Sequence, residues 1–124
     1  DRQLNDGRTA LHIAVQGRHA GLAELLCKAG ADVNKAMSGG WTPTHIASHQ
    51  GFLQMLKCLI AAKVDIDKKM ELGWTPLFVA AQMEQQETCS LLVEAHANLE
   101  ETLRFAQETN EVSAVRSLEK WRVQ

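Results

Sequence analysis

Gly40-Trp41-Thr42-Pro43-Thr44-His45-Ile46-Ala47 lies near the middle of a chain of 124 residues and has a close counterpart on each side. Gly7-Arg8-Thr9-Ala10-Leu11-His12-Ile13-Ala14 precedes it by 33 residues, and Gly73-Trp74-Thr75-Pro76-Leu77-Phe78-Val79-Ala80 follows it by 33 residues. A second block, residues 29–34, returns at 62–67 and 95–100 with the same step. Two blocks that share one register indicate a protein built of stacked repeats, each a single supersecondary unit.

Each repeat predicts two short helices. Thr42-Pro43 suits a helix start, because threonine is a good N-cap and proline fits the first helical position. Gly51 favours the left-handed turn that ends a helix, and a second apolar run at helical spacing follows it. Asn110 falls at the same position in the last unit, and asparagine tolerates the left-handed conformation. One helix pair cannot bury both of its sides, so the units are expected to stack around a continuous core. Small residues recur where the first helices approach each other, namely Ala14, Ala47 and Ala80.

The period and the Thr-Pro-Leu-His-like block resemble the ankyrin repeat. The resemblance implies an all-α solenoid of helix-turn-helix units joined by short β-hairpin loops. We expect three full repeats at residues 1–36, 37–69 and 70–101, followed by a degenerate capping repeat at 102–124, all in one continuous domain.

The ends of the array differ. Leu103-Arg104-Phe105-Ala106 follows Leu11-His12-Ile13-Ala14 by 92 residues where three periods give 99, so seven loop residues are missing. A last unit without a loop and with a polar outer face is typical of a cap. Repeat one has no comparable cap, so Leu22 is expected to face solvent unless another element covers it. We therefore expect the natural protein to continue upstream with more repeats or another domain.

The composition of the chain makes several classes of partner and location less favourable. The net charge is −2 and the basic residues form no stripe, so nucleic acid is not expected as a partner. No apolar run approaches the roughly 20 residues that span a bilayer, so we expect no membrane insertion. The cysteines lie in apolar helical runs and are expected to be buried and reduced, which favours a cytoplasmic location, with the nucleus as the alternative. They are Cys27, Cys58 and Cys89.

The sequence predicts no catalytic centre, cofactor or metal. It contains no nucleophile elbow, no phosphate-binding loop and no Cys/His cluster with metal-ligand spacing. His12 and His45 occupy equivalent positions, and the resemblance implies that they hydrogen-bond neighbouring loops. Ser38-Gly39-Gly40 lacks the lysine of a phosphate cradle and is interpreted as the tip of a hairpin.

Trp41 and Trp74 are the strongest binding candidates. In the ankyrin family this position faces a concave groove and is varied to select partners. Tryptophan is the residue most enriched at binding hot spots. We expect both side chains to project from the loop tips and to add little to the helical core; the alternative is packing onto a neighbouring loop. The register adds further groove residues: Arg8, Gln16, Ser38, His49, Gln50, Glu71, Leu72, Gln82 and Met83.

The leading hypothesis is a scaffold or adaptor, monomeric as this chain, that binds a protein or peptide. The alternative is a ligand-sensing module in which Trp41 and Trp74 stack on a nucleotide-like ligand, as the resemblance to the ankyrin domain of an oligoadenylate-dependent ribonuclease implies. Few lysines and arginines lie near to meet its phosphates. A third hypothesis is an accessory domain of a larger enzyme.

Asn34 is a candidate modification site. It follows Asp32-Val33 and lies eight residues after Leu26. This pattern resembles the site on ankyrin repeats that an oxygen-sensing asparaginyl hydroxylase modifies. The alternative is an ordinary turn asparagine.

Overall fold

The structure, a computed structural model, describes residues 7–122. Residues 1–6, where the first predicted repeat begins, and residues 123–124, at the end of the predicted cap, lie outside the described residues. The described chain forms eight α-helices: α1 (Ala10–Gln16), α2 (Ala20–Lys28), α3 (Pro43–Gln50), α4 (Leu53–Ala61), α5 (Pro76–Gln82), α6 (Gln86–Glu94), α7 (Leu99–Glu108) and α8 (Val112–Arg122).

The helices pack in two layers. The first helices of the units contact one another in order, α1 with α3, α3 with α5 and α5 with α7. The second helices do the same, α2 with α4, α4 with α6 and α6 with α8. Residues 7–122 contain no β-strand. The predicted all-α stack of helix pairs is therefore confirmed.

The loops between units differ from the expectation. The tips are 3-10 turns at Ser38–Gly40 and Glu71–Gly73. In the first of them the Met37 amide donates to the Trp41 carbonyl at 2.8 Å. The Gly40 amide also donates to the Met37 carbonyl at 2.9 Å. No strand forms on either side of these tips within residues 7–122, so the loops are tight turns and not the β-hairpins with paired strands that were predicted.

Threonine starts the first helix of each full unit. The hydroxyl oxygens of Thr9, Thr42 and Thr75 accept from the backbone amide three residues on, at 3.4, 3.3 and 3.2 Å. Each satisfies one of the amides that a helix start leaves without a partner. Pro43 and Pro76 take the first helical position, as predicted.

A residue with left-handed backbone separates the two helices of each unit. The position is held by Arg18, Gly51, Glu84 and Asn110, with φ of 58°, 70°, 55° and 58°. Beyond it a backbone amide donates back to an alanine carbonyl; for example, Phe52 donates to Ala47 at 2.9 Å. This long bond closes the helix in the way that a left-handed residue allows. The sequence predicted this role for Gly51 and Asn110.

The core runs along the stack. Ala14, Ala47, Ala80 and Ala106 are each 0% exposed, so the recurring alanines are the points of closest approach. Larger buried side chains fill the space between the layers, among them Leu11, Met55, Leu56, Leu59, Leu77, Phe78, Leu92, Leu103 and Leu118. Of the cysteines only Cys89 is buried; Cys27 and Cys58 are half-buried, because they lie at the edge of the second-helix layer.

Buried histidines connect each unit to the next. His12 Nε2 lies 3.0 Å from the Trp41 carbonyl, and His45 Nε2 lies 2.9 Å from the Trp74 carbonyl. In both rings Nδ1 faces the N-cap threonine, and the His45–Thr42 contact is 2.7 Å. The threonine amide donates to Nδ1, so Nε2 carries the proton that the next loop accepts. The structural role predicted for these histidines is confirmed.

The last unit begins early. Asp32, Asp65 and Asn98 share one repeat position, and the two aspartates accept from the backbone amide two residues on, in loop turns. The Asn98 side chain instead accepts from the Glu101 amide at 3.1 Å and caps α7. Helix α7 therefore starts at Leu99, before the expected boundary between residues 101 and 102.

The side chain of Phe105 occupies the place that the loop of a full fourth unit would take. A Cβ on Gly7 would lie 3.3 Å from the Met37 backbone, and one on Gly40 would lie 2.8 Å from the Met70 backbone. On Gly73 it would meet the Phe105 ring at 3.2 Å instead. The ring of Phe105 thus covers the side of the third loop that a fourth loop would otherwise cover.

The first unit exposes three large apolar side chains, and one of them is Leu22, which was predicted to face solvent. Ile13, Leu22 and Leu25 are 42%, 49% and 65% exposed.

The stack predicts a sharp response to charge at Ala47. Ala47→Glu places an unpaired carboxylate at a fully buried site between repeats, which costs several kcal/mol and is expected to unfold the domain. Ala10→Glu, on an exposed first residue of α1, is the matched control and should melt like the parent. Thermal melting followed by circular dichroism measures both. Equal melting temperatures for the two variants would mean that the register is wrong.

The buried imidazole predicts acid lability. Burial lowers the pKa of His45 from 6.5 to about 4, although the bond to the Trp74 carbonyl acts in the opposite direction. Between those pH values the unfolded chain binds more protons than the folded one, so stability falls as the pH falls. The loss amounts to about 3 kcal/mol by pH 4. Urea unfolding from pH 7 to 4 should show it, and His45→Gln should flatten the slope.

His49→Gln is the control for this experiment, because His49 is exposed on the same helix. Its pH slope should match that of the parent. Identical slopes for the parent and His45→Gln would show that His45 is not the group responsible.

Candidate functional site

An open depression lies beside Trp41. It has a volume of about 260 Å³ and is lined by Gln16, Met37, Trp41, Ile46, His49 and Gln50. Four of these residues were predicted from the register of the loops and first helices. The structure therefore brings together Gln16, Trp41, His49 and Gln50, while Met37 and Ile46 were not predicted to line the site.

Trp41 is half-buried and packs against the core. Its ring meets His45 edge-on with centroids 6.2 Å apart, and meets His49 edge-on at 6.0 Å. Edge-to-face contacts of this kind stabilise aromatic pairs beyond the burial of area. The expectation that this side chain projects freely from the loop tip is wrong, because the loop turns the ring back over the first helix.

Trp74 repeats the arrangement one unit later. Its ring lies 5.1 Å from that of Phe78, which in turn meets Phe105 edge-on at 5.1 Å. Trp74 is half-buried like Trp41. Both tryptophans thus have a packing role, and their role in binding stays a prediction.

Glutamine amides connect neighbouring units. Gln50 Nε2 donates to the Gln16 carbonyl at 3.0 Å, and Gln85 Nε2 donates to the His49 carbonyl at 3.2 Å. Gln82 Nε2 donates to Glu111 Oε2 at 3.0 Å. The first of these bonds lies at the polar rim of the depression, because Gln16 and Gln50 both line it.

Two of these glutamines have side-chain oxygens without a donor. Gln50 Oε1 and Gln82 Oε1 are buried and have no hydrogen-bond donor among the described residues. A buried acceptor without a donor is unfavourable unless a ligand or partner supplies one. Because the protein itself covers both oxygens, they are not accessible to a partner in this conformation.

The other predicted site residues lie outside the depression. Ser38, Glu71 and Leu72 are exposed on the two loop tips, and Met83 is 46% exposed at the end of α5. Arg8 is half-buried ahead of α1. We use the name groove face for the depression together with the exposed residues around Trp74, namely Glu71, Leu72, Trp74, Gln82 and Met83.

Asn34 is half-buried and bridges two units. Its backbone amide donates to Asp32 Oδ1 at 3.0 Å, and its side-chain oxygen accepts from the Asp65 amide at 2.7 Å. Asp67 makes the same bridge one repeat later, to the Asn98 amide at 2.9 Å. The turn role of Asn34 is thus visible in the structure, and its hydroxylation stays a prediction.

A second depression, about 200 Å³, lies beside Gly73 and α7. An ion pair between Lys69 Nζ and Glu101 Oε1, 2.8 Å long, joins loop three to α7 at this place. Both partners are about half exposed, so the pair contributes little to stability. The sequence predicted the missing loop but not this polar cleft.

The thiols are poor nucleophiles in this fold. Burial raises the pKa of Cys89 to about 11. Burial also raises the pKa of Cys58, with a further contribution from its hydrogen bond to Glu24 Oε1 at 3.3 Å. A raised pKa lowers the thiolate fraction and with it the reactivity. Within residues 7–122 no group of three or more His, Cys, Asp or Glu is placed to hold a metal ion. Nor does any helix in this range have the length and apolarity to span a membrane.

Family models match most of the chain. A model described as ankyrin repeats, three copies, matches residues 34–103, and a model of the single ankyrin repeat matches residues 6–37. The chain belongs to the ankyrin-repeat family. No curated protein matches it. Ankyrin repeats are generally protein-interaction modules and are typically not catalytic.

The packing of Trp41 predicts a loss of stability on truncation. Trp41→Ala removes a half-buried ring with two edge contacts, which should cost about 2 kcal/mol, below the roughly 3–5 kcal/mol of a fully buried aromatic. Trp41→Phe should lose less, because part of the ring remains. Urea unfolding at neutral pH gives both values. If Trp41→Ala unfolds at the same urea concentration as the parent, the ring does not contribute to packing and projects freely from the loop.

Proposed function

We propose that this ankyrin module is a scaffold or adaptor that binds a partner protein, or a peptide segment of it, through the groove face. The depression beside Trp41 carries the proposal. It combines an aromatic edge, two apolar side chains and a polar amide rim on an accessible surface. Such a mixture of an apolar centre and a polar rim is typical of protein interfaces.

The size and charge of the depression favour a side chain of a partner over a nucleotide. Small-molecule sites usually measure roughly 300–1,000 Å³, and this depression is smaller and open. None of its lining residues is a lysine or arginine that would meet a phosphate. The same surface contains no nucleophile with a base to activate it, so a binding role is favoured over an enzymatic one.

The surroundings of the module are part of the proposal. We propose a cytoplasmic or nuclear location, because the free thiols at Cys27 and Cys58 are half-buried and suit a reducing compartment. An accessory role in a larger enzyme is the alternative to a free-standing adaptor.

The test uses exposed residues, since truncating a tryptophan would change stability more. Gln16→Ala/His49→Ala removes two exposed side chains from the depression. It should cost about 1 kcal/mol, mainly from the lost contact of His49 with the Trp41 ring, and leave the domain folded. Affinity capture with parent and variant, quantified by mass spectrometry and followed by titration of each purified partner, should show about a tenfold loss of affinity.

Arg116→Ala is the control, because Arg116 is exposed on α8 in the cap. It should retain the same partners with unchanged affinity. If the double variant retains a partner that Arg116→Ala loses, the binding surface lies on the cap and not on the groove face.

A further inference from the structure

Leu72 has a backbone conformation that leucine rarely adopts. Its φ is 73° and its ψ is 0°, while Gly39, the equivalent residue one repeat earlier, has φ 82° and ψ 0°. Glycine adopts this conformation freely, whereas a residue with a Cβ loses roughly 1–2 kcal/mol. Leu72 is therefore strained at a place where the same chain also uses glycine.

The strain is not offset by packing. Leu72 is 76% exposed, more than any other large hydrophobic residue among the described residues. The fold does not need the side chain, because Gly39 forms the same turn without one. Strained residues that bring no packing gain concentrate at functional sites.

The register places Leu72 beside Trp74. A Cβ on Gly39 would lie 3.3 Å from the Trp41 ring, and Leu72 and Trp74 stand in the same relation one repeat later. Met83 corresponds to Gln50, which lines the depression beside Trp41. Leu72, Trp74 and Met83 thus form an apolar patch on the groove face. Within this patch Leu72 is 76% exposed and Met83 is 46% exposed.

Carboxylates flank this apolar patch. Glu71 precedes Leu72 and Glu84 follows Met83, and both are exposed. The nearest cation on the loop, Lys69, is paired with Glu101, and Lys68 is half-buried. An apolar contact between free carboxylates complements an apolar side chain that has a lysine or arginine next to it.

We propose that Leu72 is a specificity residue for the partner of this module. It contacts an extended peptide segment that carries a bulky apolar residue next to a basic one. The inference rests on the proposed function and names its ligand class.

The probe is a phage-displayed library of random 12-residue peptides selected on the parent protein. Selected peptides are synthesised and their affinities are measured by fluorescence anisotropy. We expect sequences with an apolar residue next to lysine or arginine. Leu72→Gly should weaken their binding at least tenfold and leave the unfolding midpoint unchanged or higher, because the strain is relieved.

Leu72→Ala separates the side chain from the backbone. It keeps a Cβ in the strained conformation and removes the apolar surface, so its affinity should fall as in Leu72→Gly while its stability stays near the parent value. Leu25→Ala is the control for exposed leucine, since Leu25 is 65% exposed on α2. It should bind like the parent.

The possible outcomes distinguish the role of Leu72 from the proposed function of the module. Peptides that bind Leu72→Gly as tightly as the parent but lose affinity for Gln16→Ala/His49→Ala overturn the role of Leu72 and leave the proposed function in place. Selected peptides without a basic residue overturn the ligand class. A library that yields no binder, or only binders unaffected by either set of variants, overturns both proposals.

Discussion

The hydrogen bond from a buried imidazole to the carbonyl of the next loop is the interaction on which the rest of the structure depends. His45 accepts from the Thr42 amide through Nδ1 and donates to the Trp74 carbonyl through Nε2. One side chain thereby fixes a helix start and the loop of the following unit. The ring is fully buried, so an unmade bond would leave a polar group unsatisfied in the core. The position of each tryptophan follows from this bond, because the accepting carbonyl belongs to the tryptophan itself.

The end of the array shows what happens where the bond is no longer needed. Phe78 replaces histidine in the third unit, and the fourth unit lacks the loop whose carbonyl would have accepted. The Phe78 ring instead packs against Trp74 and Phe105. Asn98 allows the loop before the last unit to be short, because it caps a helix at the position where Asp32 and Asp65 form loop turns. A change of one residue type and a deletion thus compensate each other, and an aromatic cluster takes over the contact that a hydrogen bond makes elsewhere.

Sequence alone predicted the parts of this structure that depend on local chemistry repeated at a fixed period. Threonine caps and the left-handed Asn110 follow from preferences of single residues, and the period fixed their register. The burial of Trp41 was not predictable, because it depends on how a loop is tilted toward the helix behind it. Met37 did carry a signal, since Met70 follows it at the same step of 33 residues, but a loop methionine has no local preference that indicates burial.

Ring contacts hold the centre of the groove face and its edge is exposed, which bears on the binding proposed for it. Trp41 is fixed by its loop and by two imidazole rings, so it loses little conformational freedom when a partner covers its edge. Preorganised side chains give affinity by lowering the entropy lost on binding. Leu72 differs, because the turn fixes its backbone while its side chain remains free. Under the proposed function, the fixed tryptophans would give affinity to many partners, whereas the exposed Leu72 would favour those whose surface fits it.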